Sequence, residues 1–175
     1  MGNLKLLIPD ETLCTEITAY RKAFLDSGDS MDGCGSLRRH EDPMEWLAFN
    51  HLLSNKETVP GNWVQSTQFV FVRENDGRIV GMIQVRHEFN EYLEKYAGHI
   101  GYSVHPDERR KGYASEMLAN TLPYCKGLGM KRVLVTCDAD NEASRRTIVK
   151  NGGVYEKTVH EPEENVDIER YWITL

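Results

Sequence analysis

Residues 109–114, R-R-K-G-Y-A, combine residue types that bind anions. Three cations precede a glycine, and the residues that follow have the apolar spacing of a helix. A helix start carries unpaired N–H groups and roughly half a positive charge, which attract an anion. Gly112 has no Cβ and Ala114 is small, so a phosphate can approach the backbone closely. These features predict a diphosphate cradle with cations at its rim.

A solvated run of charges on a loop would also explain the three cations. The surroundings favour the cradle, because a strand-like run ends at Val104, Pro106 prevents its continuation, and an amphipathic helix follows. Two other phosphate motifs, G-x-x-x-x-G-K-S/T and G-x-G-x-x-G, are absent from the chain. The segment is therefore interpreted as a cradle of a different kind.

Hydrophobic periodicity indicates the elements that position the cradle. Strand-like patterns occupy 5–8, 68–73, 78–86, 98–104, 131–137, 154–160 and 167–174. Helical spacing marks 11–26, 42–53, the segment after the cradle and 141–151. This order predicts one domain over residues 1–175, an α/β fold whose mixed sheet is partly antiparallel and covered by helices on both faces.

The composition argues against several classes of protein. No run approaches the roughly eighteen apolar residues of a membrane span, so no membrane partner is expected. A formal charge of −6 disfavours nucleic acid, which requires a basic surface. The four cysteines lack the spacing of a metal site, so no metal is predicted. Reduced thiols and the lack of an export signal predict a cytoplasmic location.

Two motifs resemble those of the GNAT-type (GCN5-related) N-acetyltransferases. The pattern R-x-x-G-x-A at 109–114 matches their Q/R-x-x-G-x-G/A signature, and 100–106 looks like the fourth strand that precedes it. The pattern N-x-x-S at 141–144, followed by Gly152, is similar to their second signature. The order of elements resembles the family's through the whole chain.

The resemblance implies a mostly antiparallel, twisted sheet in which the fourth and fifth strands splay apart and hold acetyl-coenzyme A. By the same analogy, the strand backbone pairs with the pantetheine arm, and a free N–H of Val104 polarises the thioester carbonyl. Asn141 is also typical of a helix cap, and Arg145 equally fits a solvated helix face. The residues assigned to the cofactor are Tyr102, Ser103, Val104, Arg109, Arg110, Lys111, Gly112, Tyr113, Ala114, Ser115, Asn141, Ser144 and Arg145.

The implied reaction is acetyl transfer to a primary amine by direct attack in a ternary complex, since no cysteine lies beside an obvious base. An ammonium must first lose a proton, and His99 is the candidate base, with His87 and Glu88 as second choices. Many family members carry a tyrosine general acid where this chain has Ile148, which leaves the acid open. The alternative is a module that binds acyl-coenzyme A without turnover.

The acceptor is expected to be a small molecule or a peptide that bears an amine. The resemblance places its site between residues 27–62 and 87–96. Acidic side chains there could attract a cation and tryptophans could line the pocket, although solvation and ordinary packing explain them equally well. Either a monomer or a homodimer fits the sequence. The side chains in question are Glu88, Glu91, Glu94, Trp46 and Trp63.

Overall fold

In a computed structural model, which describes residues 3–175, seven strands form one sheet. Over the same residues four α-helices are present, and the order of elements predicted from the sequence is confirmed. The strands are β1 (Leu4–Leu7), β2 (Ser66–Arg73), β3 (Arg78–Arg86), β4 (Ile100–Val104), β5 (Arg132–Asp138), β6 (Val154–Glu161) and β7 (Val166–Thr174). The helices are α1 (Cys14–Ser27), α2 (Pro43–Ser54), α3 (Tyr113–Gly127) and α4 (Glu142–Lys150).

The sheet has the spatial order β1-β2-β3-β4-β5-β7-β6. Neighbouring strands are antiparallel except β4 and β5, which are parallel. Within residues 3–175, the strand pairing of β4 with β5 is limited to Ile100 opposite Val135, beside an isolated bridge from Gly98 to Val135. The two strands diverge beyond that point. The mixed, mostly antiparallel sheet and its splay are therefore as expected.

Helices cover both faces of the sheet. Val70 of β2 packs in a cluster with α1 and Trp46 of α2. The next residue, Phe71, packs in a second cluster with Met117 of α3 and Ile148 of α4. Successive side chains of a strand point to opposite faces, so the two clusters lie on either side of the sheet.

Local sequence accounts for the starts of two helices. Asp42 accepts a hydrogen bond from the Met44 N–H at 2.8 Å, and Pro43 occupies the first position of α2, where its missing N–H costs nothing. Asn141 caps α4 in the same way, with the Ser144 N–H donating to its side chain at 3.1 Å. No helix in the described part of the chain is long and apolar enough to cross a membrane.

The loop after α1 contacts the backbone of β4 at a pair of glycines. An ideal Cβ on Gly33 would lie 2.1 Å from the carbonyl oxygen of Gly101. Gln68 donates to the Gly33 carbonyl at 2.8 Å, and the Trp46 indole donates to the Cys34 carbonyl at 2.8 Å. These buried hydrogen bonds hold the loop against the sheet.

Replacing Gly33 by alanine is expected to destabilise the fold more than the same change at Gly61. Both residues have positive φ, which costs alanine about 1–2 kcal/mol. A Cβ at Gly61 meets nothing within 4 Å, whereas one at Gly33 collides with backbone. We expect the collision to remove a further amount of about 1–3 kcal/mol from the free energy of unfolding. Urea unfolding of both variants measures this difference, and equal losses would contradict it.

Candidate functional site

A cavity of about 830 Å³ lies where β4 and β5 part. It runs from the start of α3, past the two strands, to the turn between β6 and β7. His99, Lys111 and Arg145 were predicted for the site but lie outside this lining. The predicted residues that do line it are Tyr102, Ser103, Val104, Arg109, Arg110, Gly112, Tyr113, Ala114, Ser115, Asn141 and Ser144.

The backbone of β4 directs hydrogen-bonding groups into the splay. Two backbone hydrogen bonds show which groups face β3. The His105 N–H donates to the Val80 carbonyl at 2.9 Å, and the Arg86 N–H donates to the His99 carbonyl at 2.7 Å. In an antiparallel ladder, alternate residues direct their N–H and C=O to opposite sides. The N–H groups of Tyr102 and Val104 therefore point toward β5, where the strands have separated.

The start of α3 forms the cradle end of the cavity. Gly112, at φ +84°, precedes the helix, and no side chain caps that end within residues 3–175. The first helical bond joins the Glu116 N–H to the Gly112 carbonyl at 3.1 Å. The N–H groups of residues 113–115 come before that bond and belong to residues that line the cavity. This arrangement suits an anion.

The three cations of the cradle have different surroundings. Arg109 pairs with Asp29 at 2.8 Å, and Lys111 pairs with Glu108 at 2.7 Å. Arg110 lines the cavity, and no carboxylate of residues 3–175 lies within 4.0 Å of its guanidinium. Arg109 and Lys111 therefore have carboxylate partners within the described residues, and Arg110 does not.

Glu108 is the buried carboxylate that fixes the cradle to the sheet. It accepts hydrogen bonds from Arg73 at 2.8 Å and from Lys111 at 2.7 Å, and it forms an ion pair with Arg78 at 2.9 Å. The bond from Arg73 is the largest influence on its ionisation, and Lys111 adds to it. Together they lower the pKa of Glu108 to about 2, against the opposing effect of burial. Arg73, Arg78 and Lys111 thus compensate the charge of the Glu108 side chain, which is only 3% exposed.

Helix α4 presents small polar side chains to the cavity. Ser144 and Thr147 line it, and the Tyr102 hydroxyl lies 2.7 Å from the Ser144 hydroxyl. Ile148 is fully buried in the core, so its position does not open to the cavity in this chain. Arg145 pairs with Glu169 at 2.7 Å on another side of the helix, which accounts for its absence from the lining.

His99 is held in structural contacts rather than presented to the cavity. Its Nδ1 accepts the Leu134 N–H at 2.9 Å, and its ring centroid lies 4.0 Å from that of Phe89. Burial and then the charge of Arg86 lower the pKa of His99 to about 4. A neutral imidazole has one basic nitrogen, and here the Leu134 N–H occupies it. The structure thus gives no support to His99 as the base.

Carboxylates line the other end of the cavity. Asp32, Asp138 and Glu164 come from the loop after α1, the end of β5 and the β6–β7 turn. Partial burial, followed by the charges of Asp32, Asp140 and Glu164, raises the pKa of Asp138. The strand-like patterns at 154–160 and 167–174 place Glu164 in the turn between them, but no local pattern shows that this turn reaches the splay.

The acidic and aromatic side chains predicted for the acceptor site do not line this cavity. Trp46 is fully buried, and the rings of Trp63 and Phe49 pack edge to face with their centroids 5.3 Å apart. Glu88 pairs with Lys56 at 3.3 Å. These three, with Glu91 and Glu94, are absent from the cavity lining.

A family model described as an acetyltransferase (GNAT) domain matches residues 25–154. The chain belongs to the GNAT acetyltransferase family. The match includes β2 to β5, the cradle and α4, so most of the cavity is built from the part that this GNAT chain shares with its family. The β6–β7 turn, which supplies Glu164, lies outside the match.

This GNAT chain is 32% identical over 92 residues to the uncharacterized N-acetyltransferase YnaD of Bacillus subtilis, covering 50% of this chain and 53% of that relative. A second curated relative from the same organism matches over 30% of its own length. The chain thus spans about half, or less, of the curated relatives it matches.

Among solved structures, a ribosomal-protein-S5-alanine acetyltransferase from Vibrio fischeri superposes with a TM-score of 0.75 at 16% identity, covering 99% of this chain and 94% of that one. The structure of yncA from Salmonella typhimurium with its cofactor acetyl-CoA superposes with a TM-score of 0.66 at 17% identity, covering 98% of this chain and 94% of that one. At these identities the likeness establishes the shared fold.

Replacing Glu108 by glutamine should change how stability depends on pH. The pKa of Glu108 is lowered from 4.5 to about 2, so its contribution is present above pH 4.5 and is lost as pH falls toward 2. The shift corresponds to a contribution on the order of 3 kcal/mol. We expect the gap in free energy of unfolding between wild type and Glu108→Gln to narrow over that interval. Chemical unfolding at several pH values measures it, and a constant gap would contradict the assignment.

Proposed function

We propose that the protein is an acetyl-coenzyme A-dependent N-acetyltransferase that transfers acetyl directly to a primary amine. One observation carries the proposal: a single cavity joins an anion-binding helix start, a strand edge with unpaired N–H groups, and a cluster of carboxylates. Membership of the GNAT family makes acetyl transfer the expected reaction.

The residues around the cavity fit coenzyme A. The N–H groups of residues 113–115 can donate to a diphosphate, and nothing lies within 4 Å of an ideal Cβ on Gly112, so the phosphates have room. Arg110 adds a positive charge. The backbone N–H groups of Tyr102 and Val104 point into the splay. They can donate to the amide carbonyls of the extended pantetheine arm, as they would to a neighbouring strand. Acetyl-coenzyme A bound there would supply acetyl activated as a thioester.

Two residues of β4 have the chemistry to assist the transfer. The Val104 N–H can donate to the carbonyl oxygen as negative charge develops on it. The Tyr102 hydroxyl can donate a hydrogen bond to the departing sulfur as negative charge develops on it. Burial raises the pKa of Tyr102 well above its usual range, so the hydroxyl keeps its proton and acts as a hydrogen-bond donor. Ser144, 2.7 Å away, keeps that hydroxyl oriented. The thiolate can leave without being protonated by the protein, because a thiol has a pKa near about 8.5.

The carboxylates suit a cationic acceptor. Asp138 can hold an ammonium at the cavity mouth and accept its proton, and Asp32 and Glu164 reinforce the negative charge there. This role replaces the one predicted for His99. Because the free amine is the nucleophile, the rate of transfer should rise with pH toward the pKa of the acceptor.

Direct attack is favoured over an acetyl-cysteine intermediate. Cys137 lines the cavity, but burial raises the pKa of its thiol to about 11. A protonated thiol is a weak nucleophile. The alternative of a module that binds acyl-coenzyme A without turnover rested on the absence of a tyrosine at position 148. That position is buried in the core of this chain, so the absence of a tyrosine there does not support the alternative.

The proposal is tested by following thiol release from acetyl-coenzyme A with polyamines, aminoglycosides, amino acids and peptides as acceptors. Amine-dependent release, with the acetylated product identified by mass spectrometry, is the expected result. Binding of coenzyme A without turnover on any amine would reject the transferase in favour of a binding module.

Replacing Gly112 by valine should weaken coenzyme A binding about tenfold or more, because the side chain would separate the phosphates from the helix N–H groups. The matched control is Gly77→Val, which also has positive φ and open space but lies in the β2–β3 turn. Calorimetry with coenzyme A measures both, and equal affinities in the two variants would show that the cradle is misassigned.

Replacing Tyr102 by phenylalanine should lower kcat about tenfold or more while changing the KM for acetyl-coenzyme A little, because only the departing thiolate loses its hydrogen-bond donor. His99→Gln is the control, and its pH–rate profile should match that of the wild type. Steady-state kinetics over a range of pH separates these effects. An unchanged kcat in Tyr102→Phe would remove the tyrosine from the mechanism.

A further inference from the structure

Arg86, at the end of β3, lines the cavity beside the carboxylate cluster. Its Nη1 donates to the carbonyls of Ala97 and Gly98 at 3.2 and 3.3 Å. Among residues 3–175, no carboxylate lies within 4.0 Å of this guanidinium, and Nε and Nη2 have no hydrogen-bond partner. The side chain is therefore anchored through one nitrogen and has unused donors next to the cavity.

The space for this guanidinium is provided by β4. An ideal Cβ on Gly101 would lie 3.0 Å from the Arg86 Nη2, so a glycine at this position leaves room for the charged group. Burial lowers the pKa of Arg86 to about 10, which still leaves it charged at neutral pH. A partly buried cation keeps its free donors solvated by the cavity or paired with a ligand, and a ligand anion would satisfy both its charge and its donors.

The arrangement of charges defines a chemical class of acceptor. We propose that the acceptor is an amino acid or a similar small amine that carries a carboxylate, and that Arg86 binds this carboxylate. Its ammonium is held by Asp138 and the neighbouring acidic side chains. The planar fork of an arginine matches both oxygens of a carboxylate. This inference rests on the proposed N-acetyltransferase function and names the acceptor of the same site.

The surroundings of Arg86 favour a carboxylate over a phosphate. Asp32 is close enough to influence its ionisation, and Asp138 and Glu164 line the same end of the cavity. These charges oppose a doubly charged phosphate more strongly than a singly charged carboxylate. An aminoalkyl phosphate is therefore a discriminating probe.

The test compares matched acceptors in the thiol-release assay: glycine, L-methionine, L-phenylalanine and 4-aminobutanoate, each with its amide, and 2-aminoethyl phosphate. We expect the amino acids to be used in preference to their amides. In Arg86→Gln, kcat/KM for the preferred amino acid should fall about tenfold or more, and that for its amide should change little. Arg86→Lys should restore part of the loss. Arg39→Gln, at an exposed arginine outside the cavity, is the matched control.

The outcomes separate this inference from the proposed function. Equal use of acids and amides, preference for 2-aminoethyl phosphate, or an equal loss for acid and amide in Arg86→Gln would overturn the inference while leaving the transferase intact. Absence of thiol release with every amine would reject the transferase instead. In that case, calorimetric titration of the same amino acids into the protein saturated with coenzyme A decides the inference: binding that Arg86→Gln abolishes supports it, and no binding overturns it.

Discussion

The separation of β4 from β5 is the constraint on which the site depends. The two strands pair at Ile100 and Val135 and then part, which leaves the β5-facing backbone of β4 without a neighbouring strand. Backbone N–H and C=O groups need partners when they are taken out of water. An extended ligand can complete the sheet there, while side chains from α4 and the β6–β7 turn close the gap on either side. The other parts of the site are arranged along this gap.

Two of the basic side chains of the cradle form ion pairs within the protein. Of the cradle's three cations, Lys111 is engaged by Glu108 and Arg109 by Asp29, so most of the positive charge is already compensated within the protein. The backbone of the α3 start supplies the donors that no side chain uses. In the proposed site, affinity for an anion then depends more on the shape of the loop than on the number of basic residues. Glu108 is central to the site because its ion pairs hold the loop in that shape.

Much of the fold could be predicted from the sequence, because the order of strands and helices follows from local periodicity and from signals such as Asp42-Pro43 and Asn141. The residues of the cradle and of β4 could also be predicted from the sequence, because each set is consecutive in the chain. The partners of Lys111 and Arg145 depend on tertiary contacts that no local pattern encodes. The same holds for the convergence of Arg86 with the carboxylates, which reach the cavity from three distant parts of the chain.

The glycine pair Gly33 and Gly101 ties the loop after α1 to the strand whose N–H groups face the splay. In the proposed enzyme, this contact fixes the loop on the acceptor side against the strand that would meet the thioester. Diversification of substrate range by substitutions at this contact would disturb the catalytic geometry at the same time. The β6–β7 turn lines the same cavity from a segment that takes no part in this glycine contact, so substitutions there can alter the proposed acceptor site without disturbing it.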